Sequence, residues 1–484
     1  MKLNLIRGAY LVTYAEAFGL THHPISIPRG AVTTTLRKES SQISGFRSKR
    51  ISADFILPSV AGIGQDDDEV SSKASDLIDL VKTSFLIAGT TIGGGFIALP
   101  TVVAPCGFYP AAVSLFAVWL YFLAQSFALV ECINRAKVDS EVAPTIASIS
   151  RTAFGSKGEA AIGILLTILI QATLVSQIAR AGMLFSNYRI GCLASAFSIA
   201  ALVFAPRSGV RMAANANAGL TTLFLLSCIS VFSIGVGSAD FTLLSASSNW
   251  SMMPSALPSF LQLLCYGEII STVCEISNYN AVKTKKAIVL GSFMTLCLQL
   301  TWSALGIALT PASSTIDAVS ALIQNGGPVK LPLLSLSVTA ILTTILGSYL
   351  ALLSTVNAWV NKFDSRKIDK ESAKGEKDKN NILKRIKAGA LISIPATLIA
   401  STSPSIFLAA IDFCGSYPVL SLWGIIPPVV ALIQRSKEDK NERTQSYRSA
   451  GPSIWLAILA ALSASLVGYN AVDDLFSVFA RFQL

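Results

Sequence analysis

Charged residues are scarce in this chain. Of its 484 residues 14% are charged and 52% are hydrophobic, and the mean hydropathy is +0.59. A soluble domain carries about a quarter of its residues as charged side chains, so this composition excludes the soluble globular class. The short alternating segments of a membrane β-barrel are also missing, whereas apolar stretches near the ~20 residues of a spanning helix recur. The sequence therefore predicts an all-α integral membrane protein.

Histidine and paired cysteine are equally scarce. His22 and His23 are the only histidines, and both precede the first strongly apolar segment. The eight cysteines are scattered without a C-x-x-C pair or metal-ligand spacing, so we interpret them as small packing residues. The sequence has no nucleophile elbow, and its glycine-rich "AGTTIGGG" lacks the Lys-Ser/Thr of a P-loop. We therefore predict no enzymatic activity, no bound metal and no cofactor.

Residues 1–70 differ from the rest of the chain. They are rich in serine, threonine and basic residues, as in "AVTTTLRKESSQIS", and poor in acids before residue 66. This composition is typical of an organelle transit extension. A disordered cytosolic tail is the alternative.

Eleven membrane spans are predicted after this extension. They lie at 77–104, 108–133, 158–186, 190–206, 218–237, 256–280, 287–309, 332–358, 386–401, 404–433 and 453–479. They are grouped as helices 1–5 (77–237), helices 6–10 (256–434) and helix 11 (453–480).

Lysine and arginine concentrate in the loops after spans 2, 4, 6, 8 and 10, including a run from Lys362 to Lys387. The positive-inside rule then places the N-terminus inside and the C-terminus outside. The net charge of +10 follows mostly from these loops, so no nucleic-acid partner is predicted.

The first span is interrupted at its centre. Gly89 and Gly93–Gly95 enclose the β-branched Thr90, Thr91 and Ile92, and together they form a poor helix. Irregular backbone at membrane depth survives only where it lines a cavity or is buried in protein. The alternative is close helix packing through small residues, because Gly89 and Gly93 have Gly-x-x-x-Gly spacing.

The sixth span supports the interpretation that the first span is broken. It carries Gly267 and Glu268 in an apolar stretch, where an uncompensated charge costs ~3 kcal/mol or more. Interrupted helices at matching positions of two halves are typical of inverted-repeat transporters, whose substrate binds between them. Amides at the start of a half-helix, here Gly93–Gly95, attract a carboxylate.

Several segments resemble the aromatic amino acid permeases, the tyrosine- and tryptophan-specific transporters of the amino acid/polyamine/organocation superfamily. These are "KTSFLIAGTTIGGGFIALPTVVAPCGF", "LVECINRA", "VKTKKAIVLGSFMTLCLQLTWSALGIAL" and "DFCGSYPVLSLWGIIPPVVAL". The resemblance implies a leucine-transporter-type fold of five plus five inverted helices with an eleventh helix, and import of aromatic amino acids with protons. Chloroplast-directed relatives fit the extension, which implies a plastid inner envelope location.

The same resemblance implies a substrate site at the two breaks. Its residues would be Ala88, Gly89, Thr90, Thr91, Ile92, Gly93, Gly94, Gly95, Tyr266, Gly267 and Glu268. Relatives usually carry a histidine in helix 6 where this chain has Gly267, and that histidine's role cannot be carried over.

With no membrane histidine, carboxylates are the proton-coupling candidates: Glu268 first, Asp412 second, then Glu131. A structural pair of Glu268 with Arg180 is the alternative for Glu268, and an interfacial position is the alternative for Glu131 and Glu275. Tyr266, Phe96, Trp302 and Tyr349 are candidates for the pocket wall or for packing, and Gln171 and Ser176 are weaker polar candidates.

Two other functions stay open from the sequence. In a sodium-coupled neutral amino acid transporter of the same fold, the hydroxyl oxygens of Thr90 and Thr91 would bind Na⁺. A channel or lipid-handling protein is the remote alternative. In each case the partners are a small solute and the lipid bilayer.

Overall fold

The structure is a computed structural model that describes residues 67–138, 144–204, 209–246, 248–310, 319, 322–323, 327–364, 374–437 and 448–482. Within these ranges every regular element is helical. Contacts separate Thr21–Asp79 from the rest of the chain, and only the start of the first helix is described in that unit. The predicted transit extension, residues 1–70, lies almost entirely outside the described residues.

Fourteen α-helices follow one another in the described chain. They are α1 (Asp67–Thr91), α2 (Leu99–Val103), α3 (Phe108–Val138), α4 (Ile146–Gly182), α5 (Tyr188–Phe204), α6 (Gly209–Ser238), α7 (Met253–Leu263), α8 (Ile270–Ile276), α9 (Ala281–Leu309), α10 (Lys330–Asp364), α11 (Lys374–Ala400), α12 (Ile406–Cys414), α13 (Ile426–Lys437) and α14 (Ser453–Phe482). Short 3-10 helices precede α2, α7 and α8, and a π-helix at Gly415–Ile425 joins α12 to α13.

Eight helical segments of the described chain are long and apolar enough to cross a membrane, and a bent pair raises the number to nine. The bent pair is the first predicted span, and the predicted spans 190–206 and 386–401 fall on the shorter apolar helices Tyr188–Ala201 and Lys387–Ala400. Each predicted span thus has a helical counterpart. The count of eleven and the five-plus-five repeat stay predictions.

The first span breaks where the glycines predicted it. Leu77–Thr91 and Gly94–Val103 meet at an angle of 57°. Gly93 has an extended backbone, and a 3-10 helix at Gly94–Ala98 leads into α2. Close packing through glycine also occurs, but the glycines belong to α9: a Cβ on Gly291 would lie 2.6 Å from the Ser84 carbonyl oxygen. The packing alternative for Gly89 and Gly93 is wrong at Gly89, because a Cβ there would have no neighbour within 4 Å.

The sixth span is broken as well. α7 ends at Leu263, and a 3-10 helix at Gly267–Ile269 precedes α8. The π-helix Gly415–Ile425 packs against α7, and a Cβ on Gly415 would lie 1.7 Å from the carbonyl oxygen of Pro258. Glycine is required there because the two backbones touch.

The helical body carries large apolar side chains on its outside. Among them Phe116, Leu226, Ile229 and Leu331 are between 48% and 75% exposed. Water would disfavour so much exposed apolar surface, whereas hydrocarbon does not. The membrane interpretation of the composition is consistent with this surface.

Candidate functional site

A cavity of about 160 Å³ lies between the two broken spans. Its wall combines α1, the segment Gly93–Gly95, α4, the α7–α8 break, α10 and α12. Polar side chains on this wall are Thr90, Thr91, Thr173, Ser176, Gln177, Gln262, Tyr266, Glu268 and Thr344. Apolar side chains such as Leu86, Phe96, Leu169, Ile269 and Ile411 complete it. A mostly apolar cavity with a few converging polar groups is the usual form of a small-molecule site.

Seven of the residues predicted to bind substrate line this cavity: Thr90, Thr91, Gly93, Gly94, Gly95, Tyr266 and Glu268. The other four do not line the cavity wall. Ile92 and Gly267 belong to the two breaks, whereas the prediction of a break at Ala88 and Gly89 is wrong, because helix α1 stays regular up to Thr91. The structure therefore brings the two predicted segments together across one cavity. Their role in substrate binding stays a prediction.

The segment Gly93–Gly95, called the glycine segment below, has no room for larger side chains at Gly94 and Gly95. A Cβ on Gly94 would lie 1.9 Å from Gln177 Oε1, and one on Gly95 would lie 2.7 Å from Leu263 Cδ2. The Gly94 amide donates a 2.7 Å hydrogen bond to Thr344 Oγ1. The segment is thus held by α4, α7 and α10, and one of its predicted free amides has a protein partner.

Side chains of helix α9 donate hydrogen bonds to both breaks. Trp302 Nε1 donates to the Phe96 carbonyl oxygen at 2.8 Å, and Gln299 Nε2 donates to the Leu263 carbonyl oxygen at 2.7 Å. Interrupting a helix leaves carbonyl groups without their usual amide partners, and in hydrocarbon each such group costs several kcal/mol. Gln299 removes that cost for the Leu263 carbonyl oxygen. The Phe96 carbonyl oxygen also accepts the Leu99 amide, so Trp302, one helical turn from Gln299, adds a second hydrogen bond in the first break.

Glu268 faces the cavity from the second break. Its side chain is half-buried and lines the wall, and within the described residues no hydrogen-bond donor reaches its carboxylate. The alternative partner, Arg180, is buried and lies with its guanidinium carbon 5.2 Å from the Phe407 ring centroid. Glu268 is therefore the acidic group of this site that is placed to meet a ligand.

Gly267 has no room for a side chain. A Cβ at this position would lie 2.4 Å from the indole of Trp423, which comes from the π-helix and is buried. The space that a side chain at Gly267 would occupy is therefore filled by a neighbouring tryptophan.

The second proton-coupling candidate, Asp412, lies on α12 beside the cavity and not on its wall. Its carboxylate accepts a hydrogen bond from Ser259 on α7. It links two helices that enclose the site, and its role in coupling stays a prediction.

Glu131, the third candidate, is buried in the protein. Its carboxylate accepts hydrogen bonds from Arg435 Nε at 2.6 Å and Nη2 at 2.7 Å, and Arg135 Nη2 lies 3.1 Å away. The amides of Ser449 and Ala450 add two contacts of 3.0 Å each. This carboxylate joins α3 to α13 and to the start of α14, outside the cavity. Glu275, also predicted to be interfacial, is exposed near the end of α8.

The aromatic candidates divide between wall and packing. Phe96 and Tyr266 line the cavity. Trp302 stacks on Phe96 with ring centroids 5.5 Å apart, and Tyr349 donates to Ser393 Oγ at 2.9 Å and to the Ala196 carbonyl oxygen. The latter two are packing residues in this structure.

Sequence reasoning missed four polar side chains of the wall: Thr173, Gln177, Gln262 and Thr344. The adjacent Ser176 was a candidate and lines the cavity, whereas Gln171 donates to the Ile392 carbonyl oxygen at 3.0 Å outside it. Two adjacent polar residues, Ser176 and Gln177, within an apolar span are the sequence signal that could have indicated this part of the wall.

Metal ligands do not gather in the described part of the chain, where no group of three or more His, Cys, Asp or Glu side chains meets. Thr90 Oγ1 and Thr91 Oγ1 both lie within 3.0 Å of carbonyl oxygens on their own helix, to which they donate.

Residues 78–468 match the model of the tryptophan/tyrosine permease family. Over 399 residues the chain is 21% identical to "Tyrosine-specific transport system 1" of Haemophilus influenzae, covering 79% of this chain and 94% of that relative. It is 24% identical to the "Low affinity tryptophan permease" of Escherichia coli, covering 74% and 87%. With "Tyrosine-specific transport system 2" of Haemophilus influenzae the identity is 24%, and the alignment covers 46% of this chain and 56% of that relative.

Comparison with solved structures matches a manganese transporter of Eremococcus coleocola, at a TM-score of 0.38 and 14% identity. That comparison covers 81% of this chain and 93% of the other. A Na⁺-coupled sialic acid symporter has a TM-score of 0.38 at 13% identity, covering 83% and 98%. The assignment of the chain to a family therefore depends on its sequence. The family match covers most of the chain and includes both breaks and the cavity wall. The chain belongs to the tryptophan/tyrosine permease family, whose members are transporters and not enzymes.

Proposed function

We propose that this chain is a secondary active transporter of aromatic amino acids that binds one amino acid in the cavity between its two broken spans. The observation that carries the proposal is this cavity, in a chain of the tryptophan/tyrosine permease family. The relatives named above are tyrosine- and tryptophan-specific systems. Substrate at the junction of two interrupted helices suits alternating access, in which the helices around a fixed site rock or gate.

The amino acid's carboxylate is proposed to lie at the Gly93–Gly95 segment, where backbone amides start a new helical stretch. Its aromatic ring would pack against apolar wall residues such as Phe96 and Ile411. We test this with radiolabelled tyrosine, tryptophan and leucine, measured as uptake into proteoliposomes under an imposed pH gradient. Aromatic uptake above that of protein-free vesicles is expected, and equal uptake of all three amino acids would contradict the aromatic assignment.

Proton coupling is proposed to run through Glu268. Its carboxylate lines the cavity without a described partner, so it is placed to carry a proton into the space that also receives the substrate. Loading a proton and a substrate into the same cavity would then be linked events.

Glu268→Gln should abolish accumulation against a gradient while substrate exchange persists in part. Glutamine keeps the shape of the side chain but carries no exchangeable charge, so the carrier would still rock with substrate bound. The matched control is Glu275→Gln, which changes an exposed glutamate of the same span. Undiminished accumulation by the Glu268 variant would remove this residue from the coupling step.

Sodium coupling is the second candidate, because the hydroxyls of Thr90 and Thr91 line the cavity. Uptake with sodium replaced by choline, at a fixed pH gradient, separates the two ions. Uptake that persists in choline favours protons, and uptake lost in choline favours sodium.

The finer architecture is also part of the proposal. The eight long spans, the bent pair and the two shorter apolar helices would together make eleven crossings, arranged as two inverted sets of five and a final helix. The N-terminus would lie inside and the C-terminus outside. Cysteine labelling from each side of the membrane tests this order, and labelling of both termini from the same side would refute it.

A plastid inner envelope location is proposed from the composition of residues 1–70. Imaging a fusion of residues 1–75 to a fluorescent protein tests it. A diffuse cytosolic distribution would contradict the transit function of the extension.

A further inference from the structure

Gln177 lies on α4 with its side chain in the wall of the cavity, and it is 1% exposed. Its Nε2 donates to Ser176 Oγ at 2.9 Å, and its Oε1 has no hydrogen-bond partner. A buried amide oxygen without a donor costs about 1–3 kcal/mol, so a carboxamide is expected there only if something else supplies the hydrogen.

The position of this oxygen is fixed by the first break. A Cβ on Gly94 would lie 1.9 Å from Gln177 Oε1, so the oxygen touches the backbone of the glycine segment. The neighbouring hydroxyls of the wall already donate within their own helices: Thr173 to the Leu169 carbonyl oxygen and Thr344 to the Ala340 carbonyl oxygen. Among the wall residues, Gln177 Oε1, Gln262 Oε1, the Tyr266 hydroxyl and the Glu268 carboxylate have no described hydrogen-bond partner. Of these groups, Gln177 Oε1 is the one that touches Gly94.

We propose that Gln177 is a specificity-determining residue that accepts a hydrogen bond from the α-ammonium group of the transported amino acid. The proposal rests on the function proposed above, in which the carboxylate lies at Gly93–Gly95. Only one carbon separates the ammonium group from that carboxylate, so the ammonium group meets whichever acceptor borders the glycine segment. The aromatic ring lies at least two bonds farther along the molecule and points away from it.

A consequence follows for substrate choice. A deaminated aromatic acid would leave Gln177 Oε1 buried and unpaired, and a site with such a group discriminates strongly against the analogue that lacks the donor. The carrier should therefore distinguish tyrosine from 3-(4-hydroxyphenyl)propionate, which has the same ring and carboxylate but no amino group.

The test is Gln177→Met, which keeps length and volume and removes the acceptor. Gln171→Met is the matched control, since it changes the same residue type on the same helix outside the cavity. Dissociation constants for tyrosine, phenylalanine and 3-(4-hydroxyphenyl)propionate are measured on the purified full chain in detergent, together with its thermal stability. Because a hydrogen bond to a charged group contributes about 1.5–3 kcal/mol, a loss of affinity of roughly 10- to 100-fold is expected for both amino acids.

The three ligands separate the outcomes. Weaker binding of tyrosine and phenylalanine, with 3-(4-hydroxyphenyl)propionate unchanged or non-binding in both forms, supports recognition of the ammonium group. Weaker binding of the two phenols with phenylalanine unchanged would assign Gln177 to the ring and overturn the proposal. Equal weakening of all three, or no change for any, would overturn it as well.

Gln177→Glu provides the conservative rescue. Its carboxylate retains acceptor oxygens, so both amino acids should bind at least as well as to the unaltered chain, and weakening as large as in the methionine variant would contradict the proposal. Failure of the unaltered chain to bind tyrosine or phenylalanine at all would instead refute the proposed function. The two failures are therefore distinguishable.

Discussion

Thr344 is the residue that most directly holds the glycine segment in place. Its hydroxyl accepts the Gly94 amide at 2.7 Å and donates to the Ala340 carbonyl oxygen at 2.8 Å. A single side chain on α10 therefore ties the non-helical part of the first span to a regular helix.

Thr344→Val should weaken substrate binding without unfolding the protein. Valine has nearly the same shape but offers no acceptor, so the Gly94 amide loses its partner and the segment loses a fixed orientation. A net contribution of ~1 kcal/mol predicts a rise of roughly fivefold in the KM for uptake. Thr344→Ser, which keeps the hydroxyl, is the control. A KM that is unchanged or lower in the valine variant would mean that the hydroxyl competes with substrate instead of supporting the site.

At this scale the sequence predicted the unusual residues of the breaks and missed their neighbours. Gly93–Gly95 and Glu268 are exceptional within apolar spans, so they are recognisable in a single sequence. Gln177 and Thr344 are ordinary polar residues of regular helices. Their importance arises from which helices pack against the glycine segment, and that depends on tertiary structure.

At the scale of elements, α9 is the support common to both breaks. It packs closely on the first span, since a Cβ on Gly306 would lie 2.4 Å from Pro100 Cβ. Its Gln299 and Trp302 each donate a hydrogen bond to a carbonyl oxygen of a different break. This single regular helix therefore stabilises two irregular ones.

Gln299→Leu should lower the thermal stability of the detergent-solubilised protein. The Leu263 carbonyl oxygen would lose its donor while buried in protein, at a cost of about 1–3 kcal/mol. Thr301→Val is the comparison, because Thr301 lies on the same helix, is exposed and donates only to the Cys297 carbonyl oxygen. Melting temperatures that fall equally in both variants would show that the contact with the second break contributes nothing specific.

Most of the spans could be predicted from hydropathy, because a segment in hydrocarbon must be apolar along its length. The partly polar segments were harder. The helix α11 runs from Lys374 to Ala400, but only Lys387–Ala400 is apolar, and α5 is short. The π-helix Gly415–Ile425, which packs against α7 and α14, had no recognisable sequence pattern.

At the scale of the whole molecule, the Glu131 cluster connects distant parts of the chain. The buried Glu131 carboxylate forms ion pairs with one arginine of α3 and one of α13. It also accepts hydrogen bonds from two backbone amides of the segment that leads into α14. The final helix α14 is the least buried of the long spans, at 17%, and the Glu131 cluster fixes the segment that leads into it.

Glu131→Gln should destabilise the whole protein rather than uncouple it. Removing one charge of a buried ion pair leaves the arginines uncompensated and costs about 3–5 kcal/mol. The amount of folded protein recovered in detergent and its melting temperature measure this loss. The control is Glu159→Gln, whose ion pair with Arg151 is 3.5 Å long and solvent-exposed. A Glu131 variant of normal stability that fails to accumulate substrate would instead restore Glu131 as a proton carrier.

The two hydrogen bonds of α9 also constrain how the protein can move. If Gln299 and Trp302 keep their hydrogen bonds, the two breaks cannot separate from each other during a transport cycle, because both breaks are bonded to the same helix, α9. The first and sixth spans would then swing together with α9 as one body. The glycine segment's attachments to Thr344 and Gln177 lie on α10 and α4, outside that body. These are the contacts that must slide or open when the cavity changes the side it faces, so the moving surface of the cycle passes through Gly94.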